Sequence, residues 1–276
     1  DLGLGELVRR GYVVAWMEPR GFGASFGAST PFLTRQNGRD AADVIEWLAR
    51  QPWANGKVAM YGLSNLGYIQ WLTAAERPAG LIAIAPSVAN PDLYYQLYPN
   101  GVTALAGAPL RAGQGPPGEP VDDDVAPHPL AQAAHEEHRA NQTLRDLWLP
   151  HFARDQVNPL LGYAPGITES VMPERIEDVR AAGVQVFQHA GWHDSSPRGQ
   201  LLAWKAFGGR ITLGAWRHGL FARTEGGALI REELFAWFDE VLKGSVRRQS
   251  PPVRYETINR MGEPVWNWAA EWPLPG

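Results

Sequence analysis

The stretch Val58-Ala59-Met60-Tyr61-Gly62-Leu63-Ser64-Asn65-Leu66-Gly67 decides the fold. Its first four residues form a short apolar run that fits a buried strand. Tyr68–Glu76, just beyond it, fits a helix. Ser64 therefore sits on a strand-to-helix turn, with glycine two residues before it and three after. A nucleophile elbow needs this arrangement, because small neighbours let the chain turn sharply and lift a hydroxyl above a sheet. The N–H groups of the following helix face a developing oxyanion. Leu66 departs from the common Gly-x-Ser-x-Gly form. Two other readings fit the turn alone. One is a capping serine on a glycine-lined turn. The other is a degenerate dinucleotide loop that lacks its middle glycine, the one that admits a pyrophosphate.

The flanking segments place this turn in an α/β fold. Residues 4–10 read as a helix ending at Gly11. Tyr12–Met17 reads as a buried parallel strand, Asp40–Gln51 as a helix with apolar spacing at Ala41, Val44, Ile45 and Leu48, and Leu81–Ala85 as a further strand. Strand and helix alternate, which predicts a doubly wound, mostly parallel sheet with helices on both faces. Residues 87–182 break the rhythm. Gly107–Pro129 is a loop rich in Gly, Pro and Asp, and Ala131–Leu149 and Pro173–Ala182 read as helices of an inserted cap. The rhythm resumes with strand Val184–Ala190, helix Gln200–Phe207, strand Ile211–Ala215 and amphipathic helix Leu229–Lys243. The expected division is a core over 1–86 and 183–248, a helical cap over 87–182, and the start of a separate β domain over 249–276.

An acid and a base fall where such a fold can use them. Asp194 follows the strand through Ala190, and His218 follows the strand through Ala215. One helix and one strand separate them. The chain order Ser64, Asp194, His218 is that of an α/β-hydrolase triad, and all three would stand at the C-terminal edge of the sheet, where open α/β folds bind ligands. The rivals are weaker. His193 adjoins Asp194, but neighbours on an extended chain point apart. His189 lies inside a strand as a core residue. His128, His135, His138 and His151 belong to the insertion. His135-x-x-His138 has metal-ligand spacing but lacks an obvious third ligand, so solvated helix residues are the simpler reading. Asp122-Asp123-Asp124 reads as a solvated loop.

Composition narrows the classes. The chain has 276 residues, 45% of them hydrophobic, with a net charge of −4 and no cysteine. That length suffices for one large core. The charge gives no reason to expect nucleic acid as a partner. The absence of cysteine excludes a disulfide framework, a thiol nucleophile and Cys-ligated metal. No apolar run approaches the roughly 18 residues of a membrane span, and residues 1–10 lack the basic head and apolar middle of a signal peptide. A soluble, cytoplasmic protein is expected. The 12 Trp suit aromatic cores or pockets. The first residue, Asp1, opens on the end of a helix, so the chain is expected to begin inside a fold.

The sequence resembles the cocaine esterase and X-Pro dipeptidyl-peptidase group of α/β hydrolases. The matching stretches are Glu18-Pro19-Arg20-Gly21-Phe22-Gly23-Ala24-Ser25-Phe26-Gly27, Asp40 through Gln51-Pro52-Trp53-Ala54-Asn55-Gly56-Lys57-Val58, and Gly62–Gly67. Gly191-Trp192-His193-Asp194 and Gly214-Ala215-Trp216-Arg217-His218-Gly219 match the group's Gly-Trp-x-Asp and Gly-x-Trp-x-His-Gly, its presentation of acid and base. The group also carries glycine three residues after its serine, which accounts for Leu66. Asn65 stands where the group has tyrosine, and Glu18 where it has aspartate. The resemblance implies a larger parent enzyme, with earlier strands, a loop whose tyrosine completes the oxyanion hole, and a C-terminal jelly roll. It also implies that a strand belongs between Tyr12–Met17 and Val58–Tyr61. Without it, unpaired backbone groups would face an empty slot, and the isolated chain is expected to be poorly stable unless those strands pair directly or another chain fills the gap.

These readings converge on a serine hydrolase. His218 would deprotonate Ser64, Asp194 would orient His218, and the Asn65 backbone N–H would serve the oxyanion. No cofactor or metal is required. A carboxylic ester is the first expected substrate. X-Pro peptides and α-amino acid esters or amides come second. Tyr94, Tyr95, Tyr98, Trp148, Trp192 and Trp216 are candidates for an aromatic pocket, with core packing as the alternative. A different class is an inactive hydrolase-fold binding domain, and another is a dinucleotide oxidoreductase, against which the unexplained Asp194 and His218 motifs weigh. Expected partners are a small ester or short peptide, segments of the parent chain, or a second copy, with no nucleic acid and no membrane.

Overall fold

A computed structural model describes residues 3–29, 33–102, 121, 125–142, 153–218, 227–245 and 250–273. Among these, a six-stranded sheet runs in the order β1 (Val58–Leu63), β2 (Leu81–Ser87), β3 (Gln185–Gly191), β4 (Arg210–Gly214), β5 (Val253–Ile258) and β6 (Pro264–Ala269). The first five strands are parallel, and β6 returns antiparallel to β5. The flanking helices are α1 (Leu4–Arg9), α2 (Arg35–Ala49), α3 (Asn65–Glu76), α4 (Leu93–Leu97), α5 (Pro129–Glu137), α6 (Ile176–Ala182), α7 (Pro197–Phe207) and α8 (Gly227–Lys243).

Alternation along the strands splits the core into two layers, as a parallel sheet buried on both faces requires. From β2 and β3, Leu81, Ile84 and Val186 pack with Trp71 and Leu72 of α3, Ile45 of α2, Val179 of α6 and Ala203 of α7. Ala83, Ala85 and Phe187 point the other way, onto Leu7 of α1 and Ile230, Leu234, Phe235 and Phe238 of α8. Helix α2 begins earlier than its apolar spacing suggests. Thr34 and Asn37 form a capping box ahead of it, and this satisfies N–H groups at the helix start.

Four segments depart from expectation. Residues 250–273 extend the main sheet instead of standing apart from it: Val253 and Tyr255 pair with Ile211 and Leu213. Helix α6, assigned from sequence to the cap, packs on the core. Val179 is buried there, and Arg175 just before the helix bonds Glu76 of α3. The helix expected over Ala131–Leu149 stops early. A 3-10 turn over His138–Ala140 follows Glu137, and residues 143–152 lie outside the described residues, as do Asp122–Asp124 and most of Gly107–Pro129.

The fourth departure has consequences. Tyr12–Met17 joins no strand ladder among the described residues. Val13 is 67% exposed and Trp16 63%. A cleft of about 480 Å³ separates this segment from β1, lined by Tyr12–Met17, by Val58–Tyr61 and by Ile45 and Leu48 of α2. Tyr12 is held from the far side, where its hydroxyl donates to Asp239 of α8 at 2.7 Å. A parallel strand forms only against a neighbour it can bond, and the cleft keeps the two segments from pairing directly. An open strand edge beside apolar walls attracts other apolar material. We expect the isolated 276-residue chain to enhance the fluorescence of an anilinonaphthalene dye and to unfold over a broad urea range. A sharp, reversible transition with no dye binding would contradict that expectation.

Candidate active site

Ser64 follows β1 and is the N-cap of α3, with φ 57 and ψ −122, a conformation that costs a non-glycine residue of order 1–3 kcal/mol. Its neighbours make the turn possible. A Cβ on Gly62 would stand 2.5 Å from the Leu66 Cβ, and one on Gly67 would stand 2.7 Å from the Ala89 Cβ and 3.0 Å from the Ser87 carbonyl oxygen. The close approach of helix to sheet thus falls at Gly67, three residues after the serine, while Leu66 is 39% exposed. The Ser64 carbonyl accepts the Gly67 and Tyr68 N–H groups. The Asn65 N–H opens the helix, where no earlier turn supplies a carbonyl for it.

Strands β3 and β4 deliver the other two side chains. His218 Nε2 lies 2.8 Å from Ser64 Oγ, and His218 Nδ1 lies 2.7 Å from Asp194 Oδ2. Asp194 Oδ1 accepts the backbone N–H groups of Ser195 at 2.5 Å and Ser196 at 3.2 Å. The acid is almost sealed, with its side chain 1% exposed, whereas the His218 side chain is 51% exposed. Burial pushes the Asp194 carboxyl up, but the His218 hydrogen bond and charge, together with the Ser195 donors, outweigh it and hold the group below its usual range. The hydrogen bond to Asp194 raises the His218 imidazole, against an opposing effect of burial. A hydroxyl bonded to an imidazole that is bonded to a buried carboxylate can act as an activated nucleophile.

Strand β5 braces both loops. The Trp192 indole donates to the Glu256 carbonyl at 2.9 Å, and the Glu256 carboxylate accepts the Ala215 N–H at 2.8 Å. Sequence reasoning missed Glu256, because no motif marks it and its role depends on β5 lying beside β4. The indole of Trp216 lies so close over Gly214 that a Cβ there would meet it at 1.8 Å.

The aromatic pocket candidates separate. Trp216 is buried beside Phe187 and Trp237, and Trp192 packs against Val253 and Trp272. The Trp216 ring lies over Gly214 of β4, and the partly buried Trp192 is held against β5 by its indole. Tyr98 is buried and stacked on Tyr94 at 5.3 Å, with Arg154 over the other ring. Tyr95 carries the Arg198 guanidinium over its face at 4.8 Å, and stays at the edge that holds Asp194. Trp148 lies outside the described residues. His189 is buried on β3 beside Ser87, and burial holds its imidazole down at about 3. His138 Nε2 bonds the Ser25 carbonyl oxygen. Among the described residues, no group of three or more His, Asp or Glu side chains could hold a metal ion, and no helix is long and apolar enough to cross a membrane.

The X-Pro dipeptidyl-peptidase (S15 family) model matches residues 3–220. The chain belongs to this family. It is 30% identical to the cocaine esterase of Rhodococcus sp. (strain MB1 Bresler) over 304 residues, covering 98% of the chain and 51% of that esterase. It is 27% identical to a putative serine esterase of Mycobacterium bovis over 325 residues, covering 98% of the chain and 50% of the relative. The chain thus spans about half the length of the curated relatives it matches. The fold is that of a CocE/NonD family hydrolase from Staphylococcus aureus, with a TM-score of 0.67 at 20% identity over 93% of this chain and 42% of that one. An α-amino acid ester hydrolase matches with a TM-score of 0.56 at 18% identity, over 86% of this chain and 42% of its own. The mostly parallel sheet of the S15 member is therefore an α/β-hydrolase sheet.

The elbow packing carries its own test. Gly67→Ala should cost about 1–3 kcal/mol in urea unfolding through overpacking. Leu66→Ala, on the exposed side of the same turn, should stay within about 0.5 kcal/mol.

Proposed function

We propose that this S15-family chain is the catalytic core of a serine hydrolase that cleaves carboxylic esters through an acyl-enzyme. The observation that carries the proposal is the continuous hydrogen-bonded line from Ser64 Oγ through His218 to Asp194. His218 Nε2 takes the Ser64 proton as Oγ attacks the ester carbonyl, and Asp194 stabilises the imidazolium. The Asn65 backbone N–H donates to the oxyanion. Collapse of the tetrahedral intermediate breaks the acyl–oxygen bond, and His218 gives its proton to the leaving alcohol. Water, deprotonated by His218, then attacks the acyl-Ser64 ester, and collapse returns that proton to Ser64 as the carboxylic acid leaves and ionises in solvent. The reaction is balanced by protein side chains and water.

The ester assignment rests on relatives named as esterases. The family's own name supplies a second reading, cleavage of X-Pro peptides. Parallel assays with a p-nitrophenyl ester and an Xaa-Pro-p-nitroanilide separate the two. An inactive binding domain is the reading of another class, and a fluorophosphonate probe tests it, since rapid labelling needs a working serine and histidine. Ser64→Ala should abolish labelling and lower ester turnover by at least about 10⁴-fold, with circular dichroism unchanged. Retained turnover would remove the assignment.

The pH dependence has a definite sign. Catalysis needs neutral His218, and Asp194 raises its pKa above the ordinary 6.5. kcat/KM should therefore be low in acid and rise through a single limb whose midpoint lies above that value. A midpoint at or below the ordinary value would show that Asp194 does not support His218 in solution.

We also propose that an extended apolar segment from outside residues 1–276 occupies the cleft between Tyr12–Met17 and β1. The β1 edge, unpaired on this side among the described residues, and the apolar lining support this reading. Supplying that segment in cis should abolish the dye binding described above.

A further inference from the structure

The acid of the triad is linked through Ser195 to a residue of the inserted segment that the reaction scheme does not use. Asp194 Oδ1 accepts a third hydrogen bond, from the Ser195 hydroxyl at 3.1 Å. The Ser195 oxygen in turn accepts Gln96 Nε2 of α4 at 2.7 Å. The directions agree. Ser195 has one hydroxyl proton, and the amide fills a lone pair on its oxygen, leaving that proton for the carboxylate. Gln96 lies 99 positions earlier in the chain, so the contact is tertiary and joins the insertion to the sheet edge.

Gln96 does not hold this place through its own stability. Its Oε1 is buried with no hydrogen-bond partner among the described residues, and a buried amide oxygen without a donor opposes folding. An apolar side chain of similar size would pack there without that cost. What the amide supplies is the bond to Ser195. Hydrogen-bonded chains that end on a charge polarise one another, and this one ends on the carboxylate that orients the base.

We propose that Ser195 and Gln96 are positioning residues that fix Asp194 with Oδ2 toward His218 and so tie the geometry of the base to the seating of α4. The proposal rests on the triad reading above. The titratable and charged groups around Asp194 are His218, bonded to it, His193, its chain neighbour, and Arg198 in the first turn of α7, which stacks on Tyr95. None of these replaces the Ser195 hydroxyl on Oδ1.

The test uses the full chain and ester hydrolysis against pH for Ser195→Ala, Ser195→Thr and Gln96→Leu, with thermal unfolding as a control. Ser195→Ala should lower kcat about tenfold, the scale of one hydrogen bond to a charged group. KM should stay within about twofold, since no substrate contact is removed. The acid limb should move to higher pH, because a carboxylate with fewer donors protonates more readily and holds the imidazolium more tightly. Ser195→Thr keeps the hydroxyl and should restore both values. Gln96→Leu should give the same shift in smaller measure without lowering the unfolding temperature. Parental kcat and acid limb in both Ser195→Ala and Gln96→Leu, alongside an inert Ser64→Ala, would overturn this proposal and leave the triad intact. An active Ser64→Ala would overturn the triad reading itself.

Discussion

A hydroxyl can be lifted above a sheet only if the chain reverses within one residue, and the molecule is organised around that turn. Ser64 takes the strained conformation, and two glycines let β1, α3 and the end of β2 close around it. The strain is held by packing on both sides. Trp71 and Leu72 anchor α3 from below, and the Ser64 N–H bonds the Ser87 carbonyl of the neighbouring strand. A residue so constrained offers its Oγ in a fixed direction, and the histidine three strands away can be placed to meet it.

The acid and base depend on a different constraint, the order of parallel strands. Asp194 and His218 leave adjacent strands at the same edge, so a short excursion brings them together. Trp192 and the backbone of Ala215 both bond Glu256 of β5, which converts two loops into one braced unit. The result is asymmetric in solvent. The carboxylate is sealed and multiply bonded, while half of the imidazole is exposed. This suits a group that must exchange protons with substrate and water while its orienting partner stays charged.

Much of this arrangement is legible along the chain, because it is local. The strand–turn–helix at 58–76, the Gly-Trp and Gly-x-Trp motifs and their order are sequence patterns, and the structure brings Ser64, Asp194 and His218 together as that order implies. Contacts between distant segments are not legible. Glu256 and Gln96 carry no motif, and only the pairing of β5 with β4 and the seating of α4 give them neighbours. Trp192 and Trp216 were legible as residues beside the acid and base, but their direction was not, because glycines at 191 and 214 let the Trp216 ring fold back over the sheet. Tyr12–Met17 fails for a related reason. Its composition suits a strand, but a strand is a property of a pair, and the other member lies across a cleft.

The inserted segment now reads as part of the site's mechanics. On one side, α5 and its 3-10 extension hold the loop after Met17: Glu137 accepts the Gly27 N–H, His138 bonds the Ser25 carbonyl, and Asn141 bonds both Gly21 and Ser29. On the other side, α4 reaches the acid through Gln96 and Ser195. A segment fastened only to its own layer could shift without consequence. A shift of α5 would alter the bonds to the loop after Met17, and a shift of α4 would alter the chain from Gln96 through Ser195 to Asp194. Substrate contacts made on α4 would then be felt at Asp194, the group in the triad most removed from solvent.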